Sequence, residues 1–581
     1  MPHRTEWDRR ESVDTTIIPR MGEIGFFGLT IPEKYGGLGG DHLTYCLGME
    51  ELGRADSAVR GIVSVSSGLF GKLVLAHGTE EQKQQWLPGI ATGTRADVAV
   101  VFARTGSEGP RGDQGPFGRT SHYGWPVVAA AERSEPRSPE PVPAAVTRGC
   151  QAGGPTLAAM SEVGPGRLRQ EAIYRAGVFG AKPRVPTSFA ELEARARRKM
   201  SRRAWAYVYG GAGSGATMAA NRRAFDRWQI VPRMLHDTSH RDLSTTLLGT
   251  AMPAPVLVAP VGAAGLVRRD ADVLIGGGAA EAGAPYILSS QGSSPMEETA
   301  AAMGDAPRWF QLYWSRDEEL VDSFIRRAEA IRAGALVVTL DTTVLGWRPW
   351  DLNLGSLPFS HGIGIAQYTS DPRFRELVQR RARNATKQDV KVTPAAIRTL
   401  LSISRSHPGA LLDNLRSPLP RAAVETFHDV YSNPALSWTH LATLRDRTRL
   451  PIVLKGVLHP DDAKRAFDEG VDAVMVSNHG GRQVDGSIGS LDALVEIRKA
   501  VDGPLVLDSG IRSGADVYKA LALGAAAVTV GRPHLYGLAL DGRRGVGDVV
   551  RNLVAELDLT MGLTGVRSLT ELGPELLRPA P

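Results

Sequence analysis

The segment Ser477-Asn478-His479-Gly480-Gly481-Arg482-Gln483 places a base and a guanidinium side by side. Histidine takes a proton near neutral pH. Arginine offers a rigid fork for a carboxylate or a phosphate. The Gly pair lets the backbone turn sharply between them. The segment follows Val471-Asp472-Ala473-Val474-Met475-Val476, an apolar run that predicts a short buried strand. A structural histidine and a surface arginine in a glycine turn would use the same residue types, so the rest of the chain decides between the two readings.

Seven more apolar runs accompany this one, and polar groups gather at their ends. The eight runs span 255–262, 285–290, 308–313, 335–342, 451–456, 472–477, 504–509 and 525–531. Helical patterns at 269–283, 317–333, 460–469, 488–501 and 514–523 separate most of them. Continuous apolar strands alternating with helices predict a parallel sheet covered on both sides. Eight such units predict an α/β fold, a (β/α)8 TIM barrel, whose active site forms at the C-terminal rim. The alternative, an open doubly wound sheet, lacks its Gly-x-Gly-x-x-Gly fingerprint after an early strand. Gly210-Gly211-Ala212-Gly213-Ser214-Gly215 superficially looks like a phosphate loop, but no strand precedes it. Gly510, Arg512, Gly531 and Arg532 follow runs seven and eight, where such barrels hold phosphate. Glycines let backbone N–H groups approach a phosphate, and guanidinium groups complete the cup.

The His479 motif, with Val453-Leu454-Lys455-Gly456 and Leu345-Gly346-Trp347-Arg348-Pro349, resembles the FMN-dependent α-hydroxy-acid dehydrogenase and oxidase family over residues ~166–581. The resemblance implies FMN as cofactor, with its phosphate in the cup and its ring across the barrel mouth. It implies that Pro260, Val261, Gly262, Ser289, Gln311 and Thr339 line the ring. Lys455 would stabilise negative charge on the reduced ring. Ser477, Asp508, Ser509, Gly510, Ile511, Arg512, Gly531 and Arg532 would complete the cofactor site. Arg348 and Arg482 would anchor the carboxylate of an L-2-hydroxy acid, and Tyr207 and Tyr313 would hydrogen-bond it. His479 would take the hydroxyl proton while hydride leaves the α-carbon, and Asp341 would steady the imidazolium. Within the family, the Trp-Phe-Gln-Leu-Tyr-Trp wording and Gly262 look most like the lactate 2-monooxygenases, which implies lactate and O2 giving acetate, CO2 and water. L-lactate oxidase and dehydrogenase are the alternatives. The family also implies a homotetramer or larger.

Residues 1–104 read as a helical unit, with patterns at 41–54, 59–76 and 79–87 and Thr79 as a cap. Pro32-Glu33-Lys34-Tyr35-Gly36-Gly37 and Gly78-Thr79-Glu80-Glu81-Gln82-Lys83 resemble the N-terminal helical domain of the acyl-CoA dehydrogenases over ~1–93. That family's flavin-binding β-domain and catalytic helices do not follow. Two readings from other classes therefore stay open, a two-flavin protein and an inactive fusion or scaffold. Residues 105–165 are crowded with Gly, Pro, Arg and Ser and predict a disordered linker; the abrupt onset suggests a fusion or reading-frame scar. Residues 166–581 form the barrel domain, where Ser188 and Glu191 predict a capping box at a helix start. Between Leu357 and about Thr439 lies an insertion carrying Arg373, Arg375, Arg380, Arg381, Arg383, Lys387 and Lys391, expected to be a solvated, mobile lid.

The formal charge of +6 over 581 residues does not argue for nucleic acid. No apolar stretch is long enough to span a membrane, and the first residues lack a signal peptide's apolar core. Two cysteines, Cys46 and Cys150, form no disulfide framework and no metal-ligand spacing. A cytoplasmic protein without a metal is expected.

Overall fold

In a computed structural model of the chain, the described residues are 17–55, 63, 71–92, 100–102, 127–129, 164–384 and 393–581. The chain divides into two compact units, Met1–Gly149 and Cys150–Pro581.

In the first unit, helices His42–Ala55, Lys72–His77 and Glu80–Ala91 are present. Thr79 closes a full capping box: its hydroxyl accepts from Gln82 N, and the Gln82 side chain accepts from Thr79 N. Ile31, Tyr35, Val74, Leu87, Ile90 and Ala91 make a small core. Most of the helix expected at 59–76 lies outside the described residues. So does nearly all of the expected linker. Within it, however, Val127–Ala129 forms a short strand paired antiparallel with Val100–Phe102. These consecutive apolar residues follow Pro126 and suit a strand better than a polar coil.

The second unit is a closed barrel of eight parallel strands. They are β1 (Val256–Val258), β2 (Tyr286–Leu288), β3 (Arg308–Leu312), β4 (Leu336–Thr339), β5 (Ile452–Val457), β6 (Ala473–Val476), β7 (Leu505–Leu507) and β8 (Ala527–Val530). The expected (β/α)8 TIM barrel is therefore present. Alternation along each strand sorts the side chains into two sets. Leu257, Ile287, Trp309, Val337, Val453, Met475, Val506 and Ala527 point inward and form one apolar cluster. Neighbours such as Val258, Leu288, Phe310, Val338, Leu454 and Val474 pack outward against the helices.

The same alternation builds the layer above the apolar one. Two residues past seven of the eight inward positions stand Ser289, Gln311, Thr339, Lys455, Ser477, Asp508 and Thr529, while Ala259 follows Leu257. These buried polar groups satisfy one another around the barrel. Ser289 Oγ donates to Gln311 Oε1 at 3.0 Å, and Gln311 Nε2 to Thr339 Oγ1 at 3.0 Å. Lys455 Nζ donates to Ser477 Oγ at 2.8 Å, and Ser477 Oγ to Asp508 Oδ2 at 2.6 Å. Thr529 Oγ1 donates to Asp508 Oδ1 at 2.5 Å.

Two local expectations differ from the structure. Ser188 precedes helix Phe189–Lys199 but makes no side-chain cap bond. Arg195, one turn on, takes the Glu191 carboxylate at 3.0 Å, so the capping box does not form. The insertion is not a solvated loop but largely helical, with helices Pro372–Asn384, Pro394–Ser406, Leu411–Arg416 and Leu419–Val430. Phe374 and Val378 are buried, while Arg373 pairs with Asp317 at 2.8 Å and Arg381 with Asp429. Arg373 and Arg381 thus face acids on their own domain, and Arg375 donates to the carbonyl of Ser370. Lys387 and Lys391 lie outside the described residues. No helix among the described residues is long and apolar enough to cross a membrane.

Candidate active site

The turn after β6 is built to present His479. Ser477 Oγ accepts from His479 N at 3.0 Å, Asn478 Oδ1 from Gly481 N at 3.1 Å, and Ser509 Oγ from Gly480 N at 2.9 Å. Asn478 and Asn221 exchange amide hydrogen bonds at 2.7 and 2.9 Å, which fixes the turn from behind. His479, Gly480 and Gly481 all have left-handed backbones, with φ of 56°, 65° and 73°. Two of the three are glycine, the residue that takes this conformation without strain.

His479 Nδ1 lies 2.8 Å from Asp341 Oδ1, at the end of β4. A carboxylate accepts, so Nδ1 carries the proton and Nε2 keeps its lone pair. Burial lowers the basicity of His479, and Asp341 opposes that effect. Burial alone would raise the Asp341 carboxyl, but His479 and Lys455 hold it below the usual carboxylate range. Strand β5 shifts register between Lys455 and Val457, at Gly456 with φ of 109°. Lys455 Nζ stands 3.1 Å from Asp508 and 4.0 Å from Asp341. Burial disfavours its charge, yet Asp508 and Asp341 raise its pKa. Asp508, which burial would raise, is held at about 2 chiefly by Lys455.

Four arginines surround these groups, and among the described residues none of the four forms an ion pair with a carboxylate. Arg348 donates to Arg482 O at 3.1 Å and Gln483 Oε1 at 2.7 Å. Arg482 donates to the carbonyls of Tyr207 and Gly210, and its guanidinium lies 4.8 Å from the Tyr207 ring centroid. Arg532 donates to Val208 O at 3.0 Å and Gly480 O at 2.9 Å. Arg512 stacks 4.5 Å from the Phe189 ring centroid. Burial, then the neighbouring Arg482, lowers Arg348 to about 10 and Arg532 to about 9. Buried cations held by carbonyls alone make a site for anions.

A cavity open at its mouth joins these groups. Its wall includes Pro260, Val261, Gly262, Tyr207, Tyr313, Arg348, Lys455, His479 and Arg482. The same wall carries Asp508, Ser509, Gly510, Ile511, Arg512, Gly531 and Arg532. Ser289, Gln311, Thr339, Ser477 and Asp341 are not on that wall; the first four belong to the hydrogen-bonded layer, and Asp341 stands behind His479. Burial raises the pKa of Tyr207 and Tyr313, so both hydroxyls are neutral donors. The phosphate cup fits its group. A Cβ on Gly531 would meet nothing within 4 Å, Gly510 turns at φ of 92°, and Arg512 and Arg532 are both without a carboxylate. The loop Gly210–Gly215 is not a phosphate loop. Asp485 takes the N–H groups of Ser214 and Ala216 at 2.6 and 2.7 Å, and Gly213 N goes to Trp347 O.

The sequence reading assigned no role to Gln291, Phe359, Tyr431 or Thr529, which also line the cavity, nor to Gln483. Thr529 continues the period-two alternation of β8 and was legible from it. Gln483 stands next to Arg482 in the same motif. Phe359 and Tyr431 come from the insertion, where no strand period marks them.

Residues 196–579 match the family model described as FMN-dependent dehydrogenase, and residues 1–94 match that of the acyl-CoA dehydrogenase N-terminal domain. An FMN-dependent alpha-hydroxy acid dehydrogenase, qulF, of Penicillium citrinum is 40% identical over 412 residues, covering 70% of this chain and 95% of its own length. An L-lactate oxidase of Lysinibacillus sphaericus is 40% identical over 394 residues, 68% of this chain and 92% of its own. Among solved structures, a mandelate oxidase with (S)-4-hydroxymandelic acid has a TM-score of 0.56 and 32% identity, over 68% of this chain and 99% of that one.

Proposed function

The chain belongs to the FMN-dependent dehydrogenase family, and from that membership we propose that it oxidises L-lactate with O2 to acetate, CO2 and water, as a 2-monooxygenase. FMN is the cofactor, and when bound it supplies the acceptor for the hydride and the route of electrons to oxygen. The observation that carries the reading is the His479–Asp341 pair, set in one cavity with Arg348 and Arg482, two cations that lack a carboxylate.

Arg348 and Arg482 receive the substrate carboxylate, which replaces the missing counter-charge. Tyr207 and Tyr313 donate to its oxygens. His479 Nε2 takes the hydroxyl proton, and Asp341 stabilises the resulting imidazolium. Lys455, held charged by its two acids, places positive charge at the mouth where negative charge develops. The monooxygenase outcome requires that the keto acid stay enclosed while oxygen reacts. Phe359 and Tyr431 wall the cavity with aromatic surface and support that retention. Similarity to an L-lactate oxidase supports the second reading, in which the keto acid leaves first and peroxide is released. The proposal includes a cytoplasmic homotetramer or larger assembly; exposed Val231, Met234 and Leu235 offer apolar surface for assembly, which light scattering measures.

Anaerobic mixing with L-lactate tests the reaction, and product analysis in air separates its forms. Bleaching of the flavin followed by mostly acetate is expected. Stoichiometric peroxide would move the assignment to the oxidase, and no bleaching with any L-2-hydroxy acid would sink the reading.

A further inference from the structure

The Gln483 amide makes four hydrogen bonds that join two loops of the rim. Its Nε2 donates to Asp341 O at 2.6 Å and to Val344 O at 2.8 Å. Its Oε1 accepts from Arg348 Nη2 at 2.7 Å and from Gly346 N at 3.4 Å. The orientation of the amide follows from its neighbours: two carbonyls face one end and two N–H donors the other. All four partners lie on the 341–348 segment, which carries both the acid beside His479 and one of the two arginines. The segment is pressed onto the same backbone elsewhere. A Cβ on Gly346 would fall 2.7 Å from the carbonyl oxygens of Arg482 and Gln483, so only glycine allows this approach. Exposed Val344 and Trp347 on the segment supply little burial to hold it.

We infer that Gln483 is a positioning residue: its amide fixes the Asp341–Arg348 segment against the His479–Arg482 turn, and so sets both the acid that orients the base and the reach of Arg348. The inference rests on the 2-hydroxy-acid reading of the site. It predicts that one side chain, touching no substrate, controls carboxylate affinity through Oε1 and proton transfer through Nε2.

Two variants test those two ends. In Gln483→Leu both are lost. In Gln483→Glu the acceptor for Arg348 remains, but a carboxylate oxygen now faces the carbonyls of Asp341 and Val344 and repels them. The full-length holoenzyme is titrated with oxalate, followed by flavin absorbance, and is then reduced anaerobically by L-lactate, with both constants expressed per bound flavin. Gln483→Leu is expected to weaken oxalate and slow reduction by about 10- to 100-fold each, as loss of an orienting partner does. Gln483→Glu is expected to weaken oxalate as well, because its carboxylate gives Arg348 the counter-charge the ligand would supply, while reduction falls about tenfold. A purely structural residue would change flavin content or melting temperature and leave both constants per bound flavin unaltered; that result in Gln483→Leu would overturn the inference. Should Gln483→Leu take up no flavin, Gln483→Glu decides, and a parental reduction rate there would overturn it. If no L-2-hydroxy acid reduces the parent, the functional reading has failed, and the oxalate titration still judges Gln483.

Discussion

His479 holds a left-handed backbone that costs a non-glycine residue about 1–2 kcal/mol. Three hydrogen bonds around its turn maintain that conformation, which aims the ring at Asp341. His479→Ala should therefore keep FMN, since it leaves Arg512 and Arg532 in place, and lose nearly all flavin reduction. A variant bleached by lactate at the parent rate would remove His479 from the chemistry. The pH dependence follows from the direction of its shift. The base must be neutral, and burial lowers its pKa below the ordinary value of about 6.5 despite Asp341. The acid limb of the reduction rate should accordingly fall below that value. In Asp341→Asn the group that raises the pKa is gone, so the limb should move lower still while the rate drops. A limb above the ordinary value would contradict the assignment. Gly262 belongs to this scale too. It does not adopt a left-handed backbone; its need is space, because a Cβ there would stand 2.8 Å from Gln291 Cβ and 2.9 Å from its Oε1. Gly262→Ala must push Gln291, a residue of the cavity wall. We expect this to loosen retention of the keto acid and shift products from acetate toward free pyruvate and peroxide, measured by product ratio in air.

At the scale of elements, the aromatic cluster of the insertion carries weight that its sequence concealed. Phe427 lies 5.1 Å from Phe359, 4.9 Å from Tyr368 and 4.9 Å from Tyr431, centroid to centroid. Two of these partners, Phe359 and Tyr431, are cavity wall. Phe427→Ala should cost about 3–5 kcal/mol of stability. It should also weaken binding of a 2-keto acid, measured by flavin perturbation at a temperature where the variant is folded; melting and binding both at parental values would show that the cluster supports neither. The contrast with the barrel strands is physical. Each strand is an apolar run bounded by polar residues, with neighbours of like kind, so β1 to β8 could be read directly. The polar groups at their ends could be read too, because alternation puts them one step above the apolar layer. Helix Pro372–Asn384 hid its character differently. Phe374 and Val378, one turn apart, are buried, while arginines fill the remaining faces and give the segment a solvated composition. What was not legible at all is who bonds to whom. Gln483 reaching back to Asp341 depends on two loops meeting, and no spacing in one loop encodes the other.

At the scale of the whole molecule, two families share one chain, and each matches a separate stretch. The relatives of the barrel are matched over 95% and 92% of their own length while covering only 70% and 68% of this chain. The barrel should therefore be sufficient for FMN and for chemistry, provided the cut respects its outermost helix. That helix, Pro165–Val178, is tied to the C-terminal helix Arg532–Thr564. Gly166 N donates to Asp558 Oδ2 at 2.9 Å, and Arg241 closes on both oxygens of the same buried carboxylate at 2.7 and 2.8 Å. A Cβ on Gly166 would meet Leu559 at 2.6 Å, so the two helices touch through a glycine. Arg169 adds a bond to Asn552 at 2.8 Å and an ion pair with Asp548 at 3.1 Å. A chain beginning at Gly164 keeps all of these contacts and is expected to bind one FMN per chain and to match the full-length protein in reduction rate per flavin. A chain beginning at Ala181 loses the Gly166 and Arg169 contacts, keeps Arg241 on both oxygens of Asp558, and should melt several degrees lower. Loss of FMN from the Gly164 chain would show that the first unit supports the barrel, and FAD released from the full-length protein would show a second flavin site.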